Sequence, residues 1–289
     1  MLNIENSFFL QHWEIVVISV SIVYFILKLR DNQKSSAVET NQQQVNDEET
    51  IDNDAKDGEV DTGDDELSPS LEVVNHIPYR GASVVLKGGV DEFYNMVNNR
   101  RSIRMISNKP VDIEIVKKCI HAAGTSPSGA HTEPWTFCLI KSADVKKQIR
   151  EIIEAEEYMN YKQRMSKQWT ADLKPLRTNH IKEYLTEAPY LILVFKQAFG
   201  FKANGERKTH YYNEISTSIA VGILLSALQS AGLSSLTTTP LNCGPALRSL
   251  LNRPQNEKLL VLLPVGYPTD NCEVPDLKRK GLDEIMEIY

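Results

Sequence analysis

Arg100-Arg101-Ser102-Ile103-Arg104 places three guanidinium groups and a hydroxyl within five residues, a compact donor set for a phosphate monoester. Arginine presents a planar fork that matches phosphate oxygens in pairs and keeps its charge in any environment, so the cluster reads as the seat of a phosphorylated cofactor rather than as a solvated turn after a helix. Three more clusters are rich in polar donors: Pro127-Ser128-Gly129-Ala130, the run from Thr237-Thr238-Thr239 to Pro245, and Lys278-Arg279-Lys280. The sequence contains no Gly-x-Gly-x-x-Gly, no Gly-x-x-x-x-Gly-Lys-Ser/Thr and no Gly-x-Ser-x-Gly, which argues against a dinucleotide fingerprint, an NTPase loop and a hydrolase elbow. Glu157 and Tyr161 lie four residues apart in a helical pattern and share a face; by composition alone they belong to a solvent-facing charged helix.

These residues need elements to hold them. Apolar positions from Asp91 to Val97 recur at helical spacing and deliver their helix to the arginine cluster. Residues 112–123 repeat that pattern, with Asp112 as N-cap and Gly124 as stop, and a rigid loop with two prolines follows, able to expose backbone N–H groups. Thr136–Ile140 reads as a strand, 143–165 as a long charged helix, and Tyr190–Phe195 and Leu259–Val265 as strands buried on both faces. Asn213–Ala231, rich in Ala, Ser and Gly, fits a central core helix better than a second membrane span, given Glu214, Ser216, Thr217, Ser218, Ser226 and Gln229. The alternation of helices and strands predicts one domain of mixed α and β structure over residues 76–289.

The ends differ from that domain. Residues 31–66 carry thirteen acids against two lysines, a net −11, so the formal −6 of the 289-residue chain hides a globular part at +5. That mild basicity suits an anionic cofactor and is too weak for nucleic acid. Residues 31–75 are expected to be an acidic, disordered tether. Residues 1–30 hold the apolar run Ile15–Leu27, which Phe8 to Trp13 extend to about the ~20 residues of a bilayer span, with Glu14 as its flaw. Lys28, Arg30 and Lys34 follow that run, which predicts a single-pass N-terminal membrane anchor with the folded domain on the cytosolic side. Cys119, Cys138, Cys243 and Cys272 are too scattered for zinc or a disulfide framework; Cys243, in a Gly/Pro-rich turn, is the candidate reactive thiol.

Taken together, Arg-Arg-Ser-Ile-Arg, Pro127 to Trp135, His210 to Ile215, the triple threonine and Pro275 to Lys280 resemble the flavin-dependent nitroreductase superfamily from about Ile77 to the C-terminus. The segment Glu157–Lys182 narrows the resemblance to the branch that removes iodine from halotyrosines. The resemblance implies an α+β fold, a nitroreductase-like three-layer sandwich in an intertwined homodimer with FMN at the subunit interface. It implies that Arg100, Arg101, Ser102, Ile103, Arg104 and Arg279 hold the flavin phosphate and ribityl chain. Pro127 and Ser128 would border the ring, and Thr237, Thr238 and Thr239 would lie at its reactive edge, the Thr239 hydroxyl tuning its redox electronics. Glu157, Tyr161 and Lys182 would grip the amino acid zwitterion, Glu157 at the ammonium and Lys182 at the carboxylate, while the Ala130 N–H meets the phenolate oxygen. The implied reaction is reductive dehalogenation of 3-iodotyrosine and 3,5-diiodotyrosine to tyrosine and iodide, with NADPH as ultimate reductant through a separate reductase and 157–182 as a substrate-ordered lid. A broad nitro or quinone reductase, or a noncatalytic tethered flavoprotein, are the competing readings.

Overall fold

The computed structural model describes residues 76, 78, 79 and 86–289, which fall within one compact unit, Leu67–Tyr289. The anchor at 1–30 and the tether at 31–75 lie outside the described residues. Helix α1 spans Gly89–Asn98. Helix α2, Ile113–Ala123, begins where Asp112 Oδ1 accepts the Glu114 N–H at 2.9 Å, a cap worth about 1 kcal/mol, and stops at Gly124. Its buried positions Val116, Cys119 and Ala123 fall on one stripe, as the periodicity predicts.

The central sheet runs β1 (Trp135–Ile140), β2 (Tyr190–Gln197), β6 (Glu257–Gly266) and β5 (Ser234–Ser235), every neighbour antiparallel. A separate hairpin pairs β3 (Phe199–Phe201) with β4 (Arg207–Thr209). Strand β2 alternates between two cores. Ile192 and Val194 pack, with Val261, Leu263 and Val265 of β6, against α2 and α6 (Asn213–Ser230). Leu191, Leu193, Phe195 and Leu262 pack against α3 (Ala143–Met159), α5 (Tyr184–Glu187) and α7 (Gly244–Leu250), which stand with α4 (Lys167–Leu173) on the opposite side. This is the three-layer α+β sandwich. The long apolar strands are buried on both faces because helices cover both, although the sheet is antiparallel.

A proline shapes the edge of that sheet. Ser234 and Ser235 of β5 pair with Gly266 and Val265, and Thr238 resumes the same register opposite Leu262, exchanging N–H···O bonds of 3.0 and 2.9 Å with it. Residue 264, between them, is Pro264, whose missing N–H falls on this side because Leu262 two residues before points its N–H there. The chain therefore leaves the ladder at Leu236 and Thr237.

Among the described residues no helix is long and apolar enough to cross a membrane. Helix α6 is instead a wall of the core, burying Ala220, Val221, Leu224 and Leu228, while Ile215 and Ile219 on its other side stay exposed.

Beneath the sheet end, Glu257 is 2% exposed, takes a bidentate Arg253 at 2.7 and 2.8 Å, and accepts the Thr136 hydroxyl at 2.6 Å. Burial alone pushes this carboxyl up, but those hydrogen bonds and the Arg253 charge outweigh it and hold it below the ordinary value of 4.5. A depressed folded-state value means the stabilisation is present above the unfolded value and is lost as pH falls through the folded one. Acid titration of the wild type by circular dichroism is thus expected to show stability falling below about pH 4.5, and Glu257→Gln to flatten that part of the profile while lowering stability at neutral pH.

Candidate functional site

Two cavities open on the α3 side of the sheet and share one residue, Arg104. The first, about 350 Å³, is lined by Arg100, Arg101, Ser102, Arg104, Leu277, Lys278 and Arg279, so the two cationic sequence clusters converge. The fold binds them to each other: an Arg101 guanidinium N–H donates to Pro275 O, and Arg279 Nη2 donates to Arg100 O at 2.9 Å. Burial first, then the charges of Arg279 and Arg101, push the Arg100 guanidinium down from its ordinary value. Crowded cations of this kind are an electrostatic cost that a dianionic phosphate would reverse, so the donor set fits the phosphate end of FMN. Ile103 is different. Its side chain is 8% exposed within the core and its N–H is donated to Ser235 O at 3.1 Å, so it fixes the strand that carries the arginines and does not line the cavity.

The second cavity, about 190 Å³, brings Glu157, Tyr161 and Lys182 together with Thr237, Thr238, Thr239 and Arg104. Here the sequence expectation of one helix over 143–165 fails in detail. Helix α3 ends at Met159 and the chain closes a π turn over Asn160–Arg164, the kind of local irregularity that gathers at functional sites. Asn160 is fully buried, and Arg164 Nη1 spans the turn to Asn160 Oδ1 at 3.2 Å and to Glu156 Oε2 at 2.6 Å. Lys182 Nζ lies 3.3 Å from Glu157 Oε2, and both residues are about nine-tenths buried. Lys182 Nζ also donates to Asn179 O at 2.5 Å and sits 5.8 Å from the centre of the Tyr161 ring. Burial raises the Tyr161 phenol above its ordinary value, with Glu157 adding to the rise and Thr178 and Arg104 opposing it, so Tyr161 is a hydroxyl donor at neutral pH. Burial, then Glu157, drives the neighbouring Tyr184 phenol further up.

The three threonines do different work. Thr238 satisfies backbone, its hydroxyl donating to Leu262 O at 2.9 Å. Thr237 and Thr239 follow the break opposite Pro264 and are exposed, and the Thr239 hydroxyl has no partner among the described residues. Met165, Trp169, Leu173 and Thr178 complete the cavity wall and were not singled out in the sequence; a lone tryptophan in an otherwise polar stretch was the available signal. Cys243 is not a reactive thiol. It is fully buried, its S–H donates to Leu241 O, and burial with the charges of Glu156 and Glu157 pushes it up to about 12.

Pro127, Ser128 and Ala130 line neither cavity. Their loop packs on the start of α6: a Cβ on Gly129 would stand 2.8 Å from Tyr211 O, and Thr217 Oγ1 donates to Pro134 O at 3.1 Å. Ala130, His131 and Glu133 all hold positive φ, at 47°, 51° and 45°. Left-handed backbone at three nonglycine residues is strain that the surrounding bonds must hold, here Glu133 N–H to Ser128 Oγ at 3.0 Å and Thr132 N–H to Gly129 O at 3.1 Å.

A phosphate-grade arginine cluster joined through Arg104 to a cavity with a buried ion pair, on an antiparallel three-layer sandwich, defines the class. The sequence model of the nitroreductase family matches residues 97–267, and the chain belongs to that family. It is 52% identical over 290 residues to iodotyrosine deiodinase from Drosophila melanogaster, covering 99% of this chain and 98% of that protein. It is 58% identical over 243 residues to iodotyrosine deiodinase 1 from Homo sapiens, covering 82% and 84%. A crystal structure described as oxidized iodotyrosine deiodinase bound to FMN and 3-iodo-L-tyrosine superposes with a TM-score of 0.58 at 30% identity, covering 66% of this chain and 96% of that one.

Proposed function

We propose that this protein is an FMN-dependent iodotyrosine deiodinase, replacing the carbon–iodine bonds of 3-iodotyrosine and 3,5-diiodotyrosine by carbon–hydrogen bonds with release of iodide. Each replacement takes up two electrons and one proton. The observation that carries the reading is the Glu157–Lys182 pair buried beside Tyr161. An amino acid zwitterion brings one charge of each sign and can exchange partners with this pair, its ammonium to Glu157 and its carboxylate to Lys182, so that neither buried charge is left alone. Tyr161, held protonated, donates to the carboxylate. A broad nitro or quinone reductase has no use for such a pair.

Arg100, Arg101, Ser102, Arg104 and Arg279 would hold the phosphate and ribityl chain of FMN. When bound there, FMN supplies the electrons for the reaction. Thr239, whose hydroxyl has no partner among the described residues, would offer it to the flavin ring, and Met165, Trp169 and Leu173 of the cavity wall would help keep water from it. Ala130 would donate its N–H to the phenolate oxygen of the substrate, favouring halogenated phenols over tyrosine because iodine lowers the phenol pKa. The 157–182 stretch is the proposed lid.

The position of Pro127, Ser128 and Ala130 outside both cavities, and Ile215 and Ile219 exposed on the outer side of α6, support a homodimer in which a second copy brings that loop to the flavin. From the sequence we retain as proposals the N-terminal anchor with a cytosolic domain, and a separate NADPH-dependent reductase.

Anaerobic titration of the dithionite-reduced, FMN-loaded protein with diiodotyrosine, following flavin absorbance and iodide together, tests the reading. Reoxidation in step with iodide release is expected. Reduced flavin that persists would move the assignment to a nitro or quinone reductase or to a noncatalytic flavoprotein.

A further inference from the structure

One face of α3 carries Lys146, Arg150, Glu154 and Glu157 at spacings of four, four and three residues, so the four side chains rise in a single stripe. All four reach residues 182–188, the stretch that leads from the cavity wall into β2. Lys146 Nζ donates to Thr186 O at 3.1 Å and to Ala188 O at 2.7 Å. Arg150 Nη1 donates to Thr186 Oγ1 at 2.9 Å, and its Nε donates to Glu154 Oε1 at 2.7 Å. The same Glu154 oxygen accepts the main-chain N–H of Lys182 at 2.6 Å. The last rung is the Glu157 pair with the Lys182 ammonium. Glu154 itself does not line the cavity.

We propose that Glu154, oriented by Arg150, is a positioning residue for Lys182, fixing the backbone from which the ammonium reaches the substrate carboxylate. This rests on the function proposed above. A lysine ammonium is a point charge on a flexible four-carbon stem, so its location is set only if its Cα is set and its tip is held. Asn179 O and Glu157 hold the tip, and Glu154 holds the main chain. Before Lys182 the chain has run through the π turn, α4 and a 3-10 turn at Lys174–Leu176, none of which belongs to the sheet. Glu154 is thus the residue that ties the main chain of Lys182 back to the helix that also presents Glu157. Serving two donors with one oxygen calls for the charged carboxylate. Both Arg150 and Glu154 side chains are about a quarter exposed, so replacing Glu154 leaves Arg150 access to water.

The test uses the FMN-loaded chain with Glu154→Ala and Glu154→Gln, and reads KM and kcat for 3-iodotyrosine, reoxidation of the reduced flavin by dioxygen, and amide hydrogen exchange over residues 180–186. Glu154→Ala is expected to raise KM about tenfold, the factor for one lost charge-assisted hydrogen bond. It should leave kcat and the dioxygen rate within about twofold and speed exchange over 180–186, and Glu154→Gln, which keeps an acceptor of the same shape but not its charge, should raise KM by a smaller factor, about threefold, and speed exchange to a lesser extent. An unchanged KM in Glu154→Ala, or a parallel fall of kcat and the dioxygen rate, would overturn the assignment. Were Glu154→Ala to fail to fold, a KM for Glu154→Gln equal to wild type together with unaltered exchange would overturn it equally. If the wild-type chain releases no iodide, the proposed function fails instead, and the exchange data alone decide whether Glu154 anchors Lys182.

Discussion

Glu157→Gln is expected to lower kcat/KM for diiodotyrosine by about 100-fold or more, the scale for removing one partner of a buried, hydrogen-bonded charge pair. The glutamine keeps the shape and an acceptor, so the loss reports charge. Two consequences add. The substrate ammonium loses its counterion, and Lys182, about nine-tenths buried, keeps the Asn179 carbonyl and a neutral amide but no counter-charge, so it must hold an unpaired charge or lose its proton. The free protein should therefore lose stability as well, and the melting temperature should fall. Flavin content should not change, because Glu157 is not among the residues lining the arginine cavity. Iodide release, thermal melting and flavin absorbance on one preparation separate these effects. If iodide release by Glu157→Gln stays within twofold of wild type, the zwitterion exchange is wrong.

The second large effect is expected from Arg104→Ala. Arg104 alone lines both cavities, and its charge opposes the upward shift of Tyr161 and Tyr184. Removing it takes a guanidinium from the phosphate set and leaves the wall between the two cavities without its cation. Flavin affinity should fall by about 100-fold, the scale of a buried charged contact truncated on one side, and the residual flavin-bound fraction should turn over halotyrosine poorly. Arg104→Lys should restore part of the affinity, since a point charge replaces a bidentate fork. Fluorescence titration with FMN measures both variants; affinity unaltered in Arg104→Ala would remove this residue from the cofactor site.

The arginine cavity was legible in the sequence because its donors are nearly contiguous: Arg100, Arg101, Ser102 and Arg104 all line it, and the cap at Asp112 and stop at Gly124 were local signals that the structure repeats. The grouping of Glu157, Tyr161 and Lys182 in one cavity was legible only through the resemblance. Glu157 and Tyr161 share a helix face by spacing, but Lys182 comes 21 residues later, and nothing in its neighbourhood says that the chain returns to the same helix. Charges read as a solvated face are instead a stripe turned onto residues 182–188, which hydrophobic periodicity cannot distinguish from exposure to water. The π turn was missed because its sequence, Asn160 to Arg164, has ordinary helical composition, and its contacts, a buried Asn160 whose side-chain oxygen accepts from Arg164, leave no mark in the sequence. The antiparallel order of the sheet was equally silent, since buried strands in parallel and antiparallel sheets carry the same apolar runs.

Pro264 has a consequence beyond letting the chain leave the ladder at Leu236. The sheet border formed by β5 is two residues long, its outer side is already bridged by Ser102 and Ile103, and where the chain leaves it Pro264 of β6 offers no N–H toward that side. A foreign extended segment therefore finds no continuous row of donors and acceptors along which to add itself there. The break that opens a place for chemistry is at the same time a guard against strand-by-strand self-association at that border, so Pro264→Val would be a gain in ladder continuity and a liability in solubility.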